Sequence, residues 1–139
     1  MNELKEAAQQ MNQVAPSQGT WPPGTACIPI QADLASKAGC DALASELMKR
    51  ESELDILVNN AGILRDRMLV NMSEEEWDAV IKVHLKGTYC CAWPVWKWMK
   101  DNSHPGVMVL TSSTSGLYGN FGQANYGAAK AGIYGLMRV

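Results

Sequence analysis

Leu54-Asp55-Ile56-Leu57-Val58 runs directly into Asn59-Asn60-Ala61-Gly62. A short apolar stretch that stops at a polar, glycine-bearing turn reads as a strand whose carboxyl end opens onto a loop. Similar strand signals fall at Ala26–Ala32 and Gly106–Ser112, and a segment of helical pattern separates each from the next. Strands joined by helix-length connections cannot pair as hairpins, so the connections run as crossovers and the strands lie parallel. The expectation is an α/β domain with three parallel strands in chain order and flanking helices, joined by right-handed crossovers. Ligands of such open sheets collect at the carboxyl ends of the strands, which makes 59–62 the first place to look for a site.

The helices announce themselves by period and by caps. Leu4, Ala7, Ala8 and Met11 recur at helical spacing over 2–13, and Pro16, Gly19, Pro22, Pro23 and Gly24 then predict a poorly ordered loop around Trp21. Ser36 is placed to cap a helix running to about Glu53. Ser73-Glu74-Glu75-Glu76 has the Ser-x-x-Glu spacing of a capping box and predicts the start of a long helix across 73–102. Its stripe includes Trp77, Val80, Ile81, His84, Leu85, Thr88, Tyr89, Trp93, Trp96 and Met99, with a kink or break expected at Pro94. A last helix is expected from near Gln123.

Ser113 precedes Tyr126-Gly127-Ala128-Ala129-Lys130 by thirteen positions. Tyr and Lys at i and i+4 project from one side of a helix, where an ammonium favours the ionised form of a neighbouring phenol. A hydroxyl, a phenol and an ammonium converging on one carbonyl make a proton-transfer set suited to carbonyl reduction or alcohol oxidation. The bland alternative is a helix-surface pair with a serine that merely ends a strand.

Four features in order resemble the short-chain dehydrogenase/reductase family: Ala32-Asp33-Leu34, Asn59-Asn60-Ala61-Gly62, Ser112-Ser113, and Tyr126 with Lys130. The stretch Tyr118–Tyr126 is similar to that of 3-oxoacyl thioester reductases and of the dehydrogenase part of the peroxisomal multifunctional β-oxidation enzyme. Val83–Thr88 also resembles the second group, and Ile28–Cys40 the ketoacyl reductases of rhamnolipid-type pathways. The resemblance implies a partial Rossmann-type domain, 1–139, truncated at both ends. Residues 1–25 would be a helix remnant and a Pro/Gly loop, and 26–139 the middle of the domain.

It further implies NAD or NADP as cofactor and a 3-oxo or 3-hydroxy acyl substrate, or a related ketone or alcohol. Ser113, Tyr126 and Lys130 would be catalytic; Asp33, Leu34, Asn60, Ala61 and Gly62, with Tyr126 and Lys130, would hold the cofactor. Asn59 would hold neighbouring strands together. His84 stands where many members carry an Asn that organises a water relay; a core histidine bonded to a backbone carbonyl is the other reading. No glycine-rich phosphate turn precedes Ala26, so the activity of this chain alone is in question. The alternative function is a non-catalytic relative, or an incomplete gene product, that acts as an association partner.

Composition narrows the classes. A formal net charge of −2 over 139 residues, without a basic stripe, argues against nucleic acid as a partner. No apolar run approaches the eighteen or so residues of a membrane span. Four cysteines without a CxxC support neither a metal site nor a redox pair, and reduced thiols point to a cytoplasmic compartment, with peroxisome or mitochondrion as alternatives. The aromatic content of the 73–102 helix points to a homo-oligomer.

Overall fold

In the computed structural model, which describes residues 2–17 and 25–139, two of the three expected strands pair. β1 (Ile56–Asn59) lies parallel to β2 (Val107–Leu110), with Ile56 opposite Val107 and Asn59 opposite Leu110. Val107 N–H to Asp55 O, 2.8 Å, and Thr111 N–H to Asn59 O, 3.1 Å, extend the ladder at both ends. The expected third strand is corrected: among the described residues the sheet has two strands, and 25–32 joins no ladder. A strand exists only where another strand takes its backbone groups. The N–H and C=O of Cys27 are taken instead by the side-chain amide of Asn12.

The chain divides into two units, Met1–Ala32 and Asp33–Val139. The first holds α1 (Asn2–Ser17), which continues past the expected end at residue 13 and through Pro16. The loop expected around Trp21 lies outside the described residues. Every other helix, and both strands, belong to the second unit.

Ser36 caps α2 (Lys37–Arg50) by accepting the Gly39 N–H at 3.1 Å. α2 ends three residues short of the expected Glu53, because Glu51 turns extended. The capping box forms as expected at α3 (Glu74–Ile81): Ser73 Oγ accepts Glu76 N–H at 3.2 Å and Glu76 Oε2 accepts Ser73 N–H at 3.0 Å. The helix then widens into a π-turn at Lys82–Lys86 and resumes as α4 (Gly87–Asp101). Of the kink or break expected at Pro94, the break does not occur; α4 runs through it. The irregularity comes earlier, and the inserted residue of the wide turn rotates all of α4 relative to α3, so the apolar stripe splits. Val80, His84, Thr88 and Met99 are buried, whereas Trp93 and Trp96 face out.

α4 packs on β1 and α6 (Ala124–Arg138) on β2, with α3 against α6. Val80, Ala129 and Ile133 are buried to within a percent or so. Burying a side chain the size of Ile133 is worth about 1.5–3 kcal/mol. Between β2 and α6 the structure adds α5 (Thr114–Tyr118), a short helix where the sequence suggested only a glycine-rich loop. A Cβ on Gly116 would come within 2.6 Å of Ala131 N and 2.8 Å of Lys130 C, so glycine there lets α5 press onto the α6 backbone.

The capping box can be checked directly. Ser73→Ala is expected to lower unfolding free energy by about 1 kcal/mol in urea titrations, since one orphan N–H of α3 loses its acceptor. A change below about 0.3 kcal/mol would mean that Glu76 alone secures the helix start.

Candidate active site

β2 ends at Leu110 and runs on into Thr111-Ser112-Ser113, and α6 begins at Ala124 with its first turns lying over that end. Ser113 is the N-cap of α5, its Oγ accepting Ser115 N–H at 3.2 Å. Ser113 thus lies three residues past the end of β2, and its hydroxyl is at the sheet's carboxyl edge. An accepting hydroxyl oxygen keeps its own proton to donate.

Lys130 is 4% exposed, and its Nζ donates to Thr111 O at 2.5 Å. Ser112 Oγ donates to Lys130 O at 2.8 Å, so strand end and helix are stitched in both directions. Burial pushes the Lys130 ammonium below its ordinary value. One turn back, the Tyr126 ring has Lys130 Nζ 5.6 Å from its centroid. The i, i+4 pair predicted from sequence thus shares one side of α6, at the end of β2 that carries Ser113.

His84 meets the same ring from the π-turn. It is 3% exposed and stands edge-on to Tyr126, with centroids 5.1 Å apart and planes at 89°. His84 Nε2 lies 2.8 Å from Ile63 O, which fits an Nε2–H donor, and Ile63 N is 3.1 Å from the same atom. Nδ1 is buried with no partner among the described residues. Burial holds the imidazole below its usual range, opposed by the Ile63 bond and helped by the charge of Lys130. The bonded-core reading of His84 and the reading that puts it in the site describe the same placement. A Cβ on Gly62 would fall 2.3 Å from His84 Cε1, so the turn after β1 requires glycine to pass the ring.

Of the expected cofactor residues, Leu34, Asn60 and Ala61 come together at the end of β1, Gly62 packs on His84, and Tyr126 and Lys130 lie at the end of β2. Leu34, Asn59, Asn60, Ala61, Val83 and Cys91 line one cavity at the end of β1. Its apolar walls, Leu34, Ala61 and Val83, suit a flat heteroaromatic ring, and the residues present fit the adenine end of a dinucleotide. Asp33 Oδ1 accepts Ala35 N–H at 3.0 Å, a turn role that leaves its second oxygen for an amino group. Asn59 links the strands through its backbone carbonyl; its side-chain Nδ2 is buried without a partner among the described residues.

Asn125 went unnoticed in the sequence. It is fully buried, donates from Nδ2 to Arg65 O at 2.9 Å and Glu76 O at 3.1 Å, and accepts Tyr126 N–H on Oδ1 at 2.7 Å. Its place beside Tyr126 was the only available signal, and spacing does not distinguish a clamp from a surface amide. Gln123 extends the lock, donating to Asp66 Oδ2 at 2.9 Å and accepting from Ser115 Oγ at 2.9 Å.

A profile described as short chain dehydrogenase matches residues 2–139. The chain belongs to this family. Peroxisomal multifunctional enzyme type 2 of Drosophila melanogaster is 54% identical over 89 residues, which is 64% of this chain and 15% of that protein. Hydroxyacyl-CoA dehydrogenase ChsB1 of Mycobacterium tuberculosis is 45% identical over 120 residues, 81% of this chain and 38% of that protein. Among solved structures, a short chain dehydrogenase from Mycobacterium avium superposes with a TM-score of 0.78 at 38% identity, covering 94% of this chain and 44% of that one. The chain thus spans less than half the length of each of these relatives. The short-chain dehydrogenases are oxidoreductases that generally use NAD(P), and their fold is the Rossmann type expected from the sequence.

Two measurements probe the site's construction. Asn125→Ala strands two carbonyls and an N–H, so unfolding free energy is expected to drop by about 3 kcal/mol; a loss under about 1 kcal/mol would show the clamp to be replaceable by water. The buried His84 also sets a pH dependence. Its folded pKa lies below its unfolded one, so above the unfolded value both states are neutral and nothing is lost. As pH falls through the unfolded value the unfolded chain binds the proton first, and stability declines until the folded value is reached. Melting curves of wild type and His84→Asn are expected to run parallel above about pH 7 and diverge below about pH 6.5, wild type falling faster. Parallel curves down to about pH 5 would refute it.

Proposed function

We propose that the chain carries the catalytic face of an NAD(P)-dependent oxidoreductase interconverting a 3-oxo and a 3-hydroxy acyl group. The supporting observation is the collection of Ser113, Tyr126 and a buried Lys130 at the carboxyl end of β2. The acyl class follows the hydroxyacyl-CoA dehydrogenase among the relatives.

The nicotinamide, when bound, supplies or accepts the hydride. Leu34, Asn60, Ala61 and Gly62 would hold its adenosine side, and the second oxygen of Asp33 would take the adenine amino group. In the reducing direction, Tyr126 delivers its phenolic proton to the substrate oxygen. Ser113 donates a hydrogen bond to that oxygen while negative charge grows on it. Lys130 has three N–H donors and spends one on Thr111 O. The other two remain for a ribose hydroxyl and for the charge left on Tyr126. His84, neutral and edge-on, keeps the Tyr126 ring from turning away.

In the same reading, copies of the chain associate through α4, where Tyr89, Trp93 and Trp96 are each at least half exposed.

The test is oxidation of NADPH and NADH by 3-oxoacyl thioesters, followed by the loss of reduced-cofactor absorbance. Tyr126→Phe is expected to lower kcat by about a thousandfold, with cofactor affinity by fluorescence titration changed less than about threefold, because only the proton donor goes. Lys130→Ala is expected to weaken both. Retention of more than about a tenth of wild-type kcat by Tyr126→Phe would remove the tyrosine from the mechanism.

A further inference from the structure

The spacing of Cys27, Cys40, Cys90 and Cys91 offers no cysteine pair, but the fold makes one. Cys40 lies in the first turns of α2, 2% exposed, with its Sγ 3.8 Å from Leu34 O. α4 approaches the same carbonyl. A Cβ on Gly87 would fall 2.8 Å from Leu34 O, so a glycine lets the helix and the Leu34 turn close up. Cys91 stands at i+4 from Gly87, one turn along α4 and on the same side of it. Both cysteines therefore border Leu34, Cys40 from α2 and Cys91 from α4.

Their surroundings differ. Cys40 is closed off, whereas Cys91 is half-buried and lines the cavity at the end of β1 with Leu34, Gly87 and Thr88. Burial, then the charge and hydrogen bond of Cys91, push the Cys40 thiol up to about 12. Burial raises Cys91 as well, but there the hydrogen bond from Cys40 works in the opposite direction. Of the two, Cys40 keeps its proton and Cys91 is the sulfur that a small molecule in the cavity meets. Tyr89 and Trp93, on the opposite side of α4, face out, so the thiols are apart from the aromatic surface.

We propose that Cys91 and Cys40 are a redox pair, which a hydroperoxide converts to a disulfide joining α4 to α2. The Cys91 thiolate attacks a peroxide oxygen: an S–O bond forms, the O–O bond breaks, and water leaves, or an alcohol from an organic peroxide. Cys91 is then a sulfenic acid, oxidised by two electrons. The Cys40 thiol attacks that sulfur; the S–S bond forms, the S–O bond breaks, and the hydroxyl leaves with the Cys40 proton as water. A thiol reductant reverses the bridge. A dinucleotide whose adenine fills the cavity covers Cys91, and this shielding, unlike the pair itself, rests on the proposed function.

The reduced full chain is treated with hydrogen peroxide, and its thiols are counted after unfolding. A fall from four thiols to two is expected, with a link between Cys40 and Cys91 of one chain in mass mapping without reductant. The rate is expected to rise about tenfold per pH unit from about pH 7 to about pH 8.5, as the thiolate fraction does. Cys90→Ser is expected to keep the bridge. Cys40→Ala is expected to leave Cys91 as a sulfenic acid that dimedone traps, and Cys91→Ser to abolish both bridge and trapping. Four thiols surviving in the folded chain, a bridge that forms only in urea, a bridge through Cys90, or one between two copies of the chain would each overturn the pair. NADPH or NADH at about ten times its Kd leaves about a tenth of the chain free and is expected to slow the bridge about tenfold. A bridge that forms intramolecularly at an undiminished rate would support the pair and remove the dinucleotide from this cavity, so the two claims fail separately.

Discussion

The contact on which the site depends is the set of three hydrogen bonds made by the buried amide of Asn125. One side chain binds the loop after β1, the first turn of α3 and the backbone of its own helix. An amide buried this completely must find partners for donors and acceptor alike, so its position is determined from three sides. Tyr126 is the next residue, and its place inherits that precision. Gly116 serves the same end, because only a glycine lets α5 press against the Lys130 and Ala131 backbone.

Electrostatically the site is spare. Lys130 has a carbonyl for partner and, among the described residues, no carboxylate; burial lowers its proton affinity, and its charge stands uncancelled beside Tyr126. A paired lysine would have spent its field on the counter-ion. His84, kept neutral by the same burial, adds a ring and a hydrogen bond without a second cation. The π-turn at Lys82–Lys86 is what rotates this histidine inward while Trp93 and Trp96 turn out.

Much of the sheet's apolar surface is also uncovered. Ile56, Val58, Val107 and Val109 alternate outward along the two strands, and helices α4 and α6 pack on the sheet from the face of Leu57 and Met108. The stability of this arrangement rests on one packed face and on the α3–α6 contact around Val80 and Ile133.

The sequence by itself determined what depends on near neighbours. The capping box at Ser73, the strand end at Asn59, the i, i+4 relation of Tyr126 and Lys130, and the family are set by spacings of a few residues, which local geometry cannot alter much. Tertiary structure decided the rest. Whether Ala26–Ala32 became a strand depended on a partner that spacing does not reveal, and Asn12 took the backbone groups of Cys27 instead. Pro94 was a sound local reason for a break, yet α4 runs through it, and the widened turn falls at 82–86, where His84 meets Ile63. Asn125 was invisible because its three partners lie up to sixty residues away. Only the fold brings such groups within hydrogen-bonding distance.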